Sequence, residues 1–269
     1  MNVSIAGLGL IGGSLALALR SRHRVTGFDS DAAARAAAGS AGVTIVDSLD
    51  GLLPADAVLI ATPMSAVVPT LAALCPRADS ALLMDVASLK RPVAAFAESA
   101  RATARIVGGH PMAGATASGF DAASGDLFRG RPFLLVPTAR SDGDAMALAG
   151  TLARDTGAVV SVCSAEVHDR AMAFLLAAPL AAASAVALAG AEAYPLLALA
   201  GPGFRDTTRL ADTPLDLATE LLTSGTDVHR AIDAVIENLG ALRASIDGGR
   251  HEQVRDTLRA GKRVRDGLR

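Results

Sequence analysis

The feature that most constrains this chain is the glycine pattern GLGLIG at residues 7–12, which has the form G-x-G-x-x-G. It follows a short apolar run, and the acidic residue Asp29 closes the next apolar run at the interval typical of dinucleotide-binding βαβ units. In such units Gly7 makes a tight turn, Gly9 lets the backbone approach a pyrophosphate, and Gly12 lets the helix pack closely on its strand. The pattern therefore predicts a Rossmann unit in the N-terminal part of the chain.

The predicted cofactor is NAD. A carboxylate at Asp29 can bond both ribose hydroxyls of NAD and would repel the 2′-phosphate of NADP, and no arginine follows it directly. The N–H groups at the start of the helix after the glycine turn can hold the phosphate charge. We also assign Leu10, Ile11, Thr62 and Pro63 to this site. The alternative is a plain strand–turn–helix in which Asp29 only caps the next helix.

Strand-like apolar runs alternate with helical stretches as far as residue 164. This alternation predicts right-handed βαβ units and a doubly wound, mostly parallel sheet. Residues 165–269 show helical patterns, apart from a glycine-rich stretch at residues 201–209 that we expect to be irregular. The predicted architecture is thus an α/β Rossmann domain at residues 1–164 and an all-α dimerisation domain at residues 165–269.

One segment, residues 171–190, contains no charged residue and is long enough to be considered as a membrane span. It consists mainly of alanine and includes Pro179 and Ser184, whereas spanning helices are rich in Leu, Ile and Phe. A helix that is apolar on all sides also occurs at the centre of a helical dimer. We therefore predict a soluble homodimer with this helix buried between the chains, and no membrane partner.

Charge and cysteine content exclude other classes. The formal net charge is -2, Trp is absent and there is one Tyr, so a nucleic-acid partner is not expected. The two cysteines, Cys75 and Cys163, have neither metal-site spacing nor a disulfide pattern. These features predict a cytoplasmic protein without a metal site.

The sequence GGHPMAG at residues 108–114 follows a sixth predicted strand at residues 106–107. His110 is therefore expected on a constrained loop at the sheet edge where ligands bind. A histidine there can accept a proton from a hydroxyl as hydride leaves the same carbon; the alternative is a loop histidine with a structural hydrogen bond. Ser88 and Lys90, in DVASLK after the fifth predicted strand, are expected to face the same crevice, although a helix cap and a solvated lysine explain them equally well.

Several motifs together resemble the prephenate/arogenate dehydrogenase family of tyrosine biosynthesis. They are GLGLIGGSLA, DVASLK, GGHPMAG with ASGF behind it, and AGPGFRDTTRLA, and the resemblance runs from residue 3 to about residue 220. It implies a Rossmann domain followed by an interlocked helical dimerisation domain. It also implies NAD-dependent oxidative decarboxylation of prephenate to 4-hydroxyphenylpyruvate, with hydride transfer from ring C4 and aromatisation of the ring.

The same resemblance implies roles for individual residues around a cyclohexadienyl carboxylate substrate. His110 bonds the C4 hydroxyl and assists its deprotonation, and Ser88 orients both groups. Arg209 holds a substrate carboxylate, for which its planar guanidinium is better suited than a lysine. Arg205 assists it, and Lys90 is assigned to substrate binding as well.

The chain departs from the family pattern at the end of the site that recognises the substrate side chain. Thr116 stands where the family has glutamate, and Ala177 and Leu180 stand where it has the two histidines of Ser-His-Leu-Pro-His. Because Leu180 cannot donate a hydrogen bond, we expect a more apolar and roomier site there, with Thr116 and Leu180 among the substrate-binding residues. Arogenate and 4-amino-4-deoxyprephenate, a specialised metabolite, are therefore alternative substrates.

Two further hypotheses remain. A β-hydroxyacid dehydrogenase or imine reductase would share the two-domain plan, but these enzymes place a catalytic lysine on the long interdomain helix, and residues 166–191 contain none. A non-catalytic NAD-binding dimer would explain the altered specificity segment but not the presence of His110, Ser88 and Arg209 together.

Asp29 generates a test of the cofactor assignment. We expect NAD to bind more tightly than NADP, because the carboxylate bonds the ribose hydroxyls and repels a 2′-phosphate. Isothermal titration calorimetry with both cofactors measures the ratio of the Kd of NADP to the Kd of NAD. The Asp29→Asn variant lacks the negative charge, so this ratio should be smaller in it. Equal affinities, or tighter binding of NADP, in the unmodified protein contradict the assignment.

Overall fold

The computed structural model describes residues 1–115, 117–225 and 227–268. The chain divides into two compact units, Met1–Met172 with Asp212–Gly225 and Ala173–Ala211 with Thr226–Arg269. The segment 212–225 thus belongs to the first unit although the chain on both sides of it belongs to the second. The predicted domain boundary after residue 164 stays a prediction, because compact units and sequence domains need not coincide.

The first unit contains an eight-stranded sheet in the order β3-β2-β1-β4-β5-β6-β7-β8. All neighbouring strands are parallel except β6 and β7, so the predicted doubly wound, mostly parallel sheet is confirmed. The strand order reverses between β1 and β4, and open α/β sheets bind ligands at the carboxyl ends of strands at such a point. The strands are β1 (Asn2–Ala6), β2 (Arg24–Phe28), β3 (Thr44–Ile45), β4 (Ala57–Ile60), β5 (Leu82–Asp85), β6 (Arg105–Pro111), β7 (Pro132–Pro137) and β8 (Val159–Val162).

The helices surround this sheet in the first unit and make up the second. Those of the first unit are α1 (Leu10–Leu19), α2 (Ala32–Ser40), α3 (Met64–Leu74), α4 (Arg91–Ser99), α5 (Gly143–Asp155), α6 (Ala165–Met172) and α9 (Leu215–Ser224). Those of the second are α7 (Ala178–Ala189), α8 (Pro202–Thr208), α10 (Val228–Asp247) and α11 (His251–Asp266).

Two apolar cores lie on opposite faces of the sheet. Alternation along β4 shows the division, since Leu59 packs with the residues of α1 and α5, while Val58 and Ile60 pack with those of α3 and α4. Successive side chains of a strand point to opposite faces, so a strand covered on both sides is apolar throughout. The strands that carry the ligand-binding edge are therefore held from both sides.

The glycine-rich stretch at residues 201–209 was expected to be irregular, and that expectation is wrong. Residues Pro202–Thr208 form α8, with Gly201 as the cap in extended conformation and Pro202 at the first helical position. Proline is favoured there because its missing N–H would have no partner within the helix and its φ is already helical. The glycines thus mark the start of a helix.

The predicted long helix at residues 166–191 is interrupted by a π-turn. Residues Ala173–Ala177 form this wide turn between α6 and α7. Pro179 has no N–H to bond the carbonyl four residues earlier, and its ring would clash with that carbonyl, so a wider turn is favoured just before it.

The whole stretch Ala165–Ala193 is long and apolar enough to cross a membrane by length and composition, and 33% of its most apolar window is buried within the chain.

The second unit exposes large apolar side chains. Several on α7, α10 and α11 are 60% exposed or more: Leu188, Ile236, Leu239, Ile246, Leu258 and Val264. Apolar area of this extent on a helical unit is typical of a protein–protein interface. The predicted burial of residues 171–190 between two chains stays a prediction.

Strand β6 is longer than predicted, and this changes the position of His110. The strand continues through Gly108 and Gly109 to Pro111, and His110 pairs with Leu134 of the antiparallel β7. His110 thus lies within a strand, and its expected position on a loop is wrong. Gly109 is required by packing, because a Cβ there would lie 2.8 Å from the Asp85 carbonyl oxygen. A Cβ at Gly108 would lie 3.0 Å from Lys90 Cδ, a close contact that the lysine chain would have to relieve.

Lys90 lies beneath this strand with its side chain buried, which corrects the alternative of a solvated lysine, while its assignment to substrate binding stays a prediction. Its Nζ donates to the Asp85 carboxylate and, at 2.6 Å, to the Gly109 carbonyl, and neither charged side chain is exposed. Burial raises the pKa of Asp85 and lowers that of Lys90, while the attraction between the two charges opposes both shifts. The ion pair joins β5 to the end of β6.

This buried pair predicts a large difference between single and double variants. Lys90→Met leaves the Asp85 carboxylate buried without a cation, and we expect the free energy of unfolding to fall by about 3–5 kcal/mol. The double variant Lys90→Met/Asp85→Asn removes both charges and keeps an acceptor for the Ala87 N–H, which the Asp85 carboxylate binds at 3.1 Å. It should recover most of the loss in urea denaturation.

The exposed pair of Arg129 and Asp126, with side chains 76% and 73% exposed, provides the control. Arg129→Met should change the free energy of unfolding by less than about 1 kcal/mol, because water screens an exposed pair. A double variant as unstable as Lys90→Met alone would contradict the argument from uncompensated charge.

Candidate active site

The glycine turn between β1 and α1 leaves room for a ligand at one of its three glycines. Gly7 has a φ of +93°, and a Cβ there would lie 2.5 Å from the carbonyl oxygen of Ala61. A Cβ at Gly12 would lie 1.8 Å from the carbonyl oxygen of Gly7. A Cβ at Gly9 would meet no described atom within 4 Å. Gly7 and Gly12 are thus required by the packing of the chain itself, whereas Gly9 faces open space.

The N-terminus of α1 points into the same space. Gly9 is its cap and contributes no side chain, so no side-chain hydrogen bond caps the helix in the described part of the chain. Gly9, Leu10 and Ile11 are half-buried. Free N–H groups and the positive end of the helix dipole attract an anion such as a pyrophosphate. The residues present therefore fit the phosphate groups of a dinucleotide.

Asp29 follows β2 and is held by two backbone groups. Its Oδ2 accepts from the N–H of Leu8 at 2.6 Å, and its Oδ1 accepts from the N–H of Asp31 at 2.9 Å. These bonds fix the carboxylate beside the glycine turn, where a ribose would lie next to the bound phosphates.

Sequence reasoning missed one basic residue near Asp29. The Arg35 guanidinium, on the first turns of α2, donates to the carbonyls of Asp29 at 2.7 Å and Ser30 at 3.1 Å. It therefore binds main-chain oxygens and not the Asp29 carboxylate. An arginine six residues after the acid, on the helix that follows, was the available signal.

Thr62 and Pro63 follow β4 and lie next to the glycine turn, since a Cβ at Gly7 would be 2.9 Å from the Thr62 nitrogen. Thr62 Oγ1 is buried and has no hydrogen-bond partner among the described residues. A buried hydroxyl without a partner is unfavourable. The Thr62 hydroxyl is therefore able to form a hydrogen bond with a bound ligand. The role of both residues in cofactor binding stays a prediction.

His110 is the nearly buried end of a chain of hydrogen bonds. It is 6% exposed, and its Nδ1 lies 2.9 Å from Nε2 of His168. Nδ1 of His168 lies 2.7 Å from Oδ1 of Asp169. Burial, and after it electrostatic repulsion from Lys90 and from His168 when that ring is protonated, holds the pKa of His110 well below its ordinary value of 6.5. At neutral pH the ring is therefore uncharged and can accept a proton.

Asp169 also caps α4. Its Oδ1 accepts from the N–H of Lys90 at 2.8 Å, and its Oδ2 accepts from the N–H of Arg91 at 2.9 Å. Burial raises the pKa of Asp169, but the hydrogen bonds from His168, Arg91 and Lys90 outweigh it and hold the pKa below its usual range. Asp169 is consequently a carboxylate at neutral pH.

Ser88 lies half-buried on the loop between β5 and α4. The described residues include no hydrogen bond between Ser88 and His110, so its predicted role in orienting the histidine stays a prediction. The observed partner is His168, to which sequence reasoning gave no role. The only signal was the dipeptide His168-Asp169, because 58 residues separate His110 from His168.

The remaining predicted site residues lie in the second unit or outside the described residues. Arg205 and Arg209 are exposed, and Arg205 Nε donates to the carbonyl of Ala200 at 3.0 Å. Leu180 is 4% exposed and Ala177 is 2% exposed. Thr116 lies outside the described residues. The substrate-binding roles of all these residues stay predictions.

Two family models match the chain in succession. The model described as "Prephenate dehydrogenase, nucleotide-binding domain" matches residues 15–162, and "Prephenate dehydrogenase, dimerization domain" matches residues 164–260. The first match begins within α1, after the glycine turn. The two matches together span most of the chain.

Individual relatives agree with these matches. A prephenate dehydrogenase of Bacillus subtilis (strain 168) is 32% identical over 281 residues, covering 99% of this chain and 76% of the relative. The crystal structure of A. aeolicus prephenate dehydrogenase in complex with hydroxyphenyl propionate and NAD+ has a TM-score of 0.91 and 25% identity, covering 100% of this chain and 98% of that one. Synechocystis arogenate dehydrogenase has a TM-score of 0.85 and 28% identity, with full coverage of both chains. The chain therefore belongs to the prephenate dehydrogenase family.

Proposed function

We propose that this protein is an NAD-dependent dehydrogenase that converts prephenate to 4-hydroxyphenylpyruvate by oxidative decarboxylation, a step of tyrosine biosynthesis. The observation that carries the proposal is His110, an uncharged and nearly buried base at the end of β6. It belongs to the same sheet edge as the open glycine turn that fits a dinucleotide. Membership of the prephenate dehydrogenase family supports this assignment.

NAD is the cofactor that fits the described residues. The open space at Gly9, the uncapped start of α1 and the fixed carboxylate of Asp29 would hold its pyrophosphate and ribose groups. The A. aeolicus relative was solved with NAD+. When bound, NAD supplies a hydride acceptor.

In the proposed reaction His110 accepts a hydrogen bond from the substrate's C4 hydroxyl through Nε2, since its Nδ1 is bonded to His168. Its low pKa keeps this nitrogen free of a proton until substrate binds. The C4–H bond breaks with its electron pair leaving as hydride, while the pair of the bond to the ring carboxylate enters the ring and releases CO2. His110 withdraws the hydroxyl proton during these changes and returns it to the phenolate oxygen once the ring is aromatic, which gives 4-hydroxyphenylpyruvate. Its near burial limits exchange with water.

The resemblance of GPGFRDTTRLA to the family motif supports Arg209 as the group that binds a substrate carboxylate, with Arg205 assisting. A guanidinium binds a carboxylate through two parallel hydrogen bonds and keeps its charge at any relevant pH. We likewise propose that Ser88 orients His110 and the substrate hydroxyl and that Thr116 contributes to substrate binding.

Arogenate is the second candidate substrate. Leu180 and Ala177 replace the two family histidines with side chains that offer no hydrogen bond. This favours a substrate whose side chain is recognised without them, and one of the similar structures is an arogenate dehydrogenase. We propose that Ala177 and Leu180 determine which of the two substrates the protein prefers.

The protein is further proposed to be a cytoplasmic homodimer that associates through its second unit. The second family model is named a dimerization domain. The exposed apolar side chains of α7, α10 and α11 provide an interface that a single chain leaves uncovered.

Activity should depend on His110. In His110→Asn we expect kcat to fall about 10²–10⁴-fold, the usual worth of a positioned acid–base group, with the Kd of NAD unchanged. The rate of NADH formation is measured with prephenate and with arogenate. The matched control is His251→Asn, because His251 is exposed on α11. An unmodified protein that forms no NADH from either substrate overturns the proposed function, and a His110→Asn variant of normal activity overturns the role of His110.

The pH dependence follows from the same residue. Because the pKa of His110 is lowered, the active, uncharged ring persists below pH 6.5, and kcat/KM should stay constant there and fall only as the pH passes through the lowered pKa. A decline of kcat/KM that is centred at or above pH 6.5 would show that another group controls the reaction.

A further inference from the structure

We propose that His168 and Asp169 are positioning residues that set the tautomer of His110 and take up the positive charge formed during the reaction. The inference rests on the proposed function, in which His110 accepts a proton. The sequence motifs assign no role to either residue. Both side chains are buried, since His168 is 1% exposed and Asp169 is 3% exposed.

The tautomer follows from the order of the hydrogen bonds. Asp169 is a carboxylate and can only accept, so Nδ1 of an uncharged His168 must carry the proton that it donates at 2.7 Å. Nε2 of His168 is then without a proton and accepts from Nδ1 of His110 at 2.9 Å. An uncharged His110 with a proton on Nδ1 has a free lone pair on Nε2, the nitrogen that faces the substrate in the proposed reaction.

Asp169 is held so that this order cannot easily reverse. Its two oxygens accept from the N–H groups of Lys90 and Arg91 at the start of α4 as well as from His168. Three donors converge on the carboxylate, so neither oxygen can turn away without leaving a buried N–H without a partner. The capping of α4 thus fixes the direction of the hydrogen-bond chain.

The charges around the two histidines differ, and this difference makes the added proton more stable on His168 than on His110. The buried Lys90 opposes a positive charge on His110, whereas His168 directly contacts the carboxylate of Asp169. When Nε2 of His110 accepts the hydroxyl proton, its Nδ1 proton can pass to Nε2 of His168. His110 becomes uncharged again with its proton on Nε2, and His168 becomes an imidazolium beside Asp169, so protons and charge balance.

A purely structural role makes a different prediction for one substitution. The side-chain amide of Asn reaches the position of a histidine Nδ1 but not that of Nε2. His168→Asn therefore keeps a donor for Asp169 and the cap of α4, but removes the acceptor for His110. Asp169→Asn keeps the His168 ring but loses the fixed acceptor. If the dyad only supports α4, His168→Asn should be as active as the unmodified protein.

The test measures kinetics and ring protonation on the same proteins. We expect both variants to lose about 10²–10⁴-fold in kcat, the range of a positioned acid–base group, while the KM of prephenate and the Kd of NAD change less than about threefold. Histidine-selective 15N NMR of the full-length protein should show Nδ1 of His110 protonated and Nε2 unprotonated, with His110→Asn identifying the signals. Asp169→Asn should reverse or mix this pattern.

The outcomes separate this inference from the proposed function. The NMR measurement needs no substrate, so an unmodified protein that forms no NADH overturns the proposed function, while the ring tautomer still tests the dyad. A proton on Nε2 of His110 in the unmodified protein, or a His168→Asn variant with normal kcat, overturns the inference. If Asp169→Asn does not fold, His168→Asn and the tautomer of the unmodified protein decide the question.

Discussion

The ion pair between Lys90 and Asp85 is the interaction on which the candidate site depends. The lysine chain packs against Gly108, where a Cβ would lie 3.0 Å from Lys90 Cδ, and its ammonium group binds the Gly109 carbonyl. The strand is thereby held as far as Pro111, and the next residue after the bound carbonyl is His110. A catalytic base on a paired strand has less freedom than one on a loop, which favours a fixed hydrogen-bond geometry.

The two halves of the proposed chemistry share one edge of the sheet because the topology places them there. The glycine turn follows β1, Thr62 follows β4, the Lys90 loop follows β5, and His110 ends β6. All four of these strands lie side by side and parallel, so their carboxyl ends meet. The charges near His110 add a second constraint, since buried Lys90 opposes a positive charge on His110, while the hydrogen-bond partner His168 contacts the carboxylate of Asp169.

Local patterns were sufficient for the Rossmann sheet and the glycine turn, because strand alternation and the G-x-G-x-x-G spacing depend on residues close together in the sequence. They failed where tertiary packing decides. Gly108-Gly109 resembles a loop until the lysine that packs on it is known, and Lys90 resembles a surface residue until its partner Asp85 is known. The hydrogen-bond partner of His110 lies 58 residues away in the sequence. Pro202 begins a helix in a stretch that was expected to be irregular because of its glycines.

The glycine turn has a consequence for how variants of this protein should be distributed. Gly7 and Gly12 are constrained by clashes within the chain, so changes there act through folding and abundance. Gly9 has empty space in front of it, and a methyl group there would leave the unliganded fold intact. Three positions of one motif are thus under two kinds of selection, and sequence tolerance at Gly9 reports whether a lineage still uses the nucleotide, independently of whether the protein is still stable.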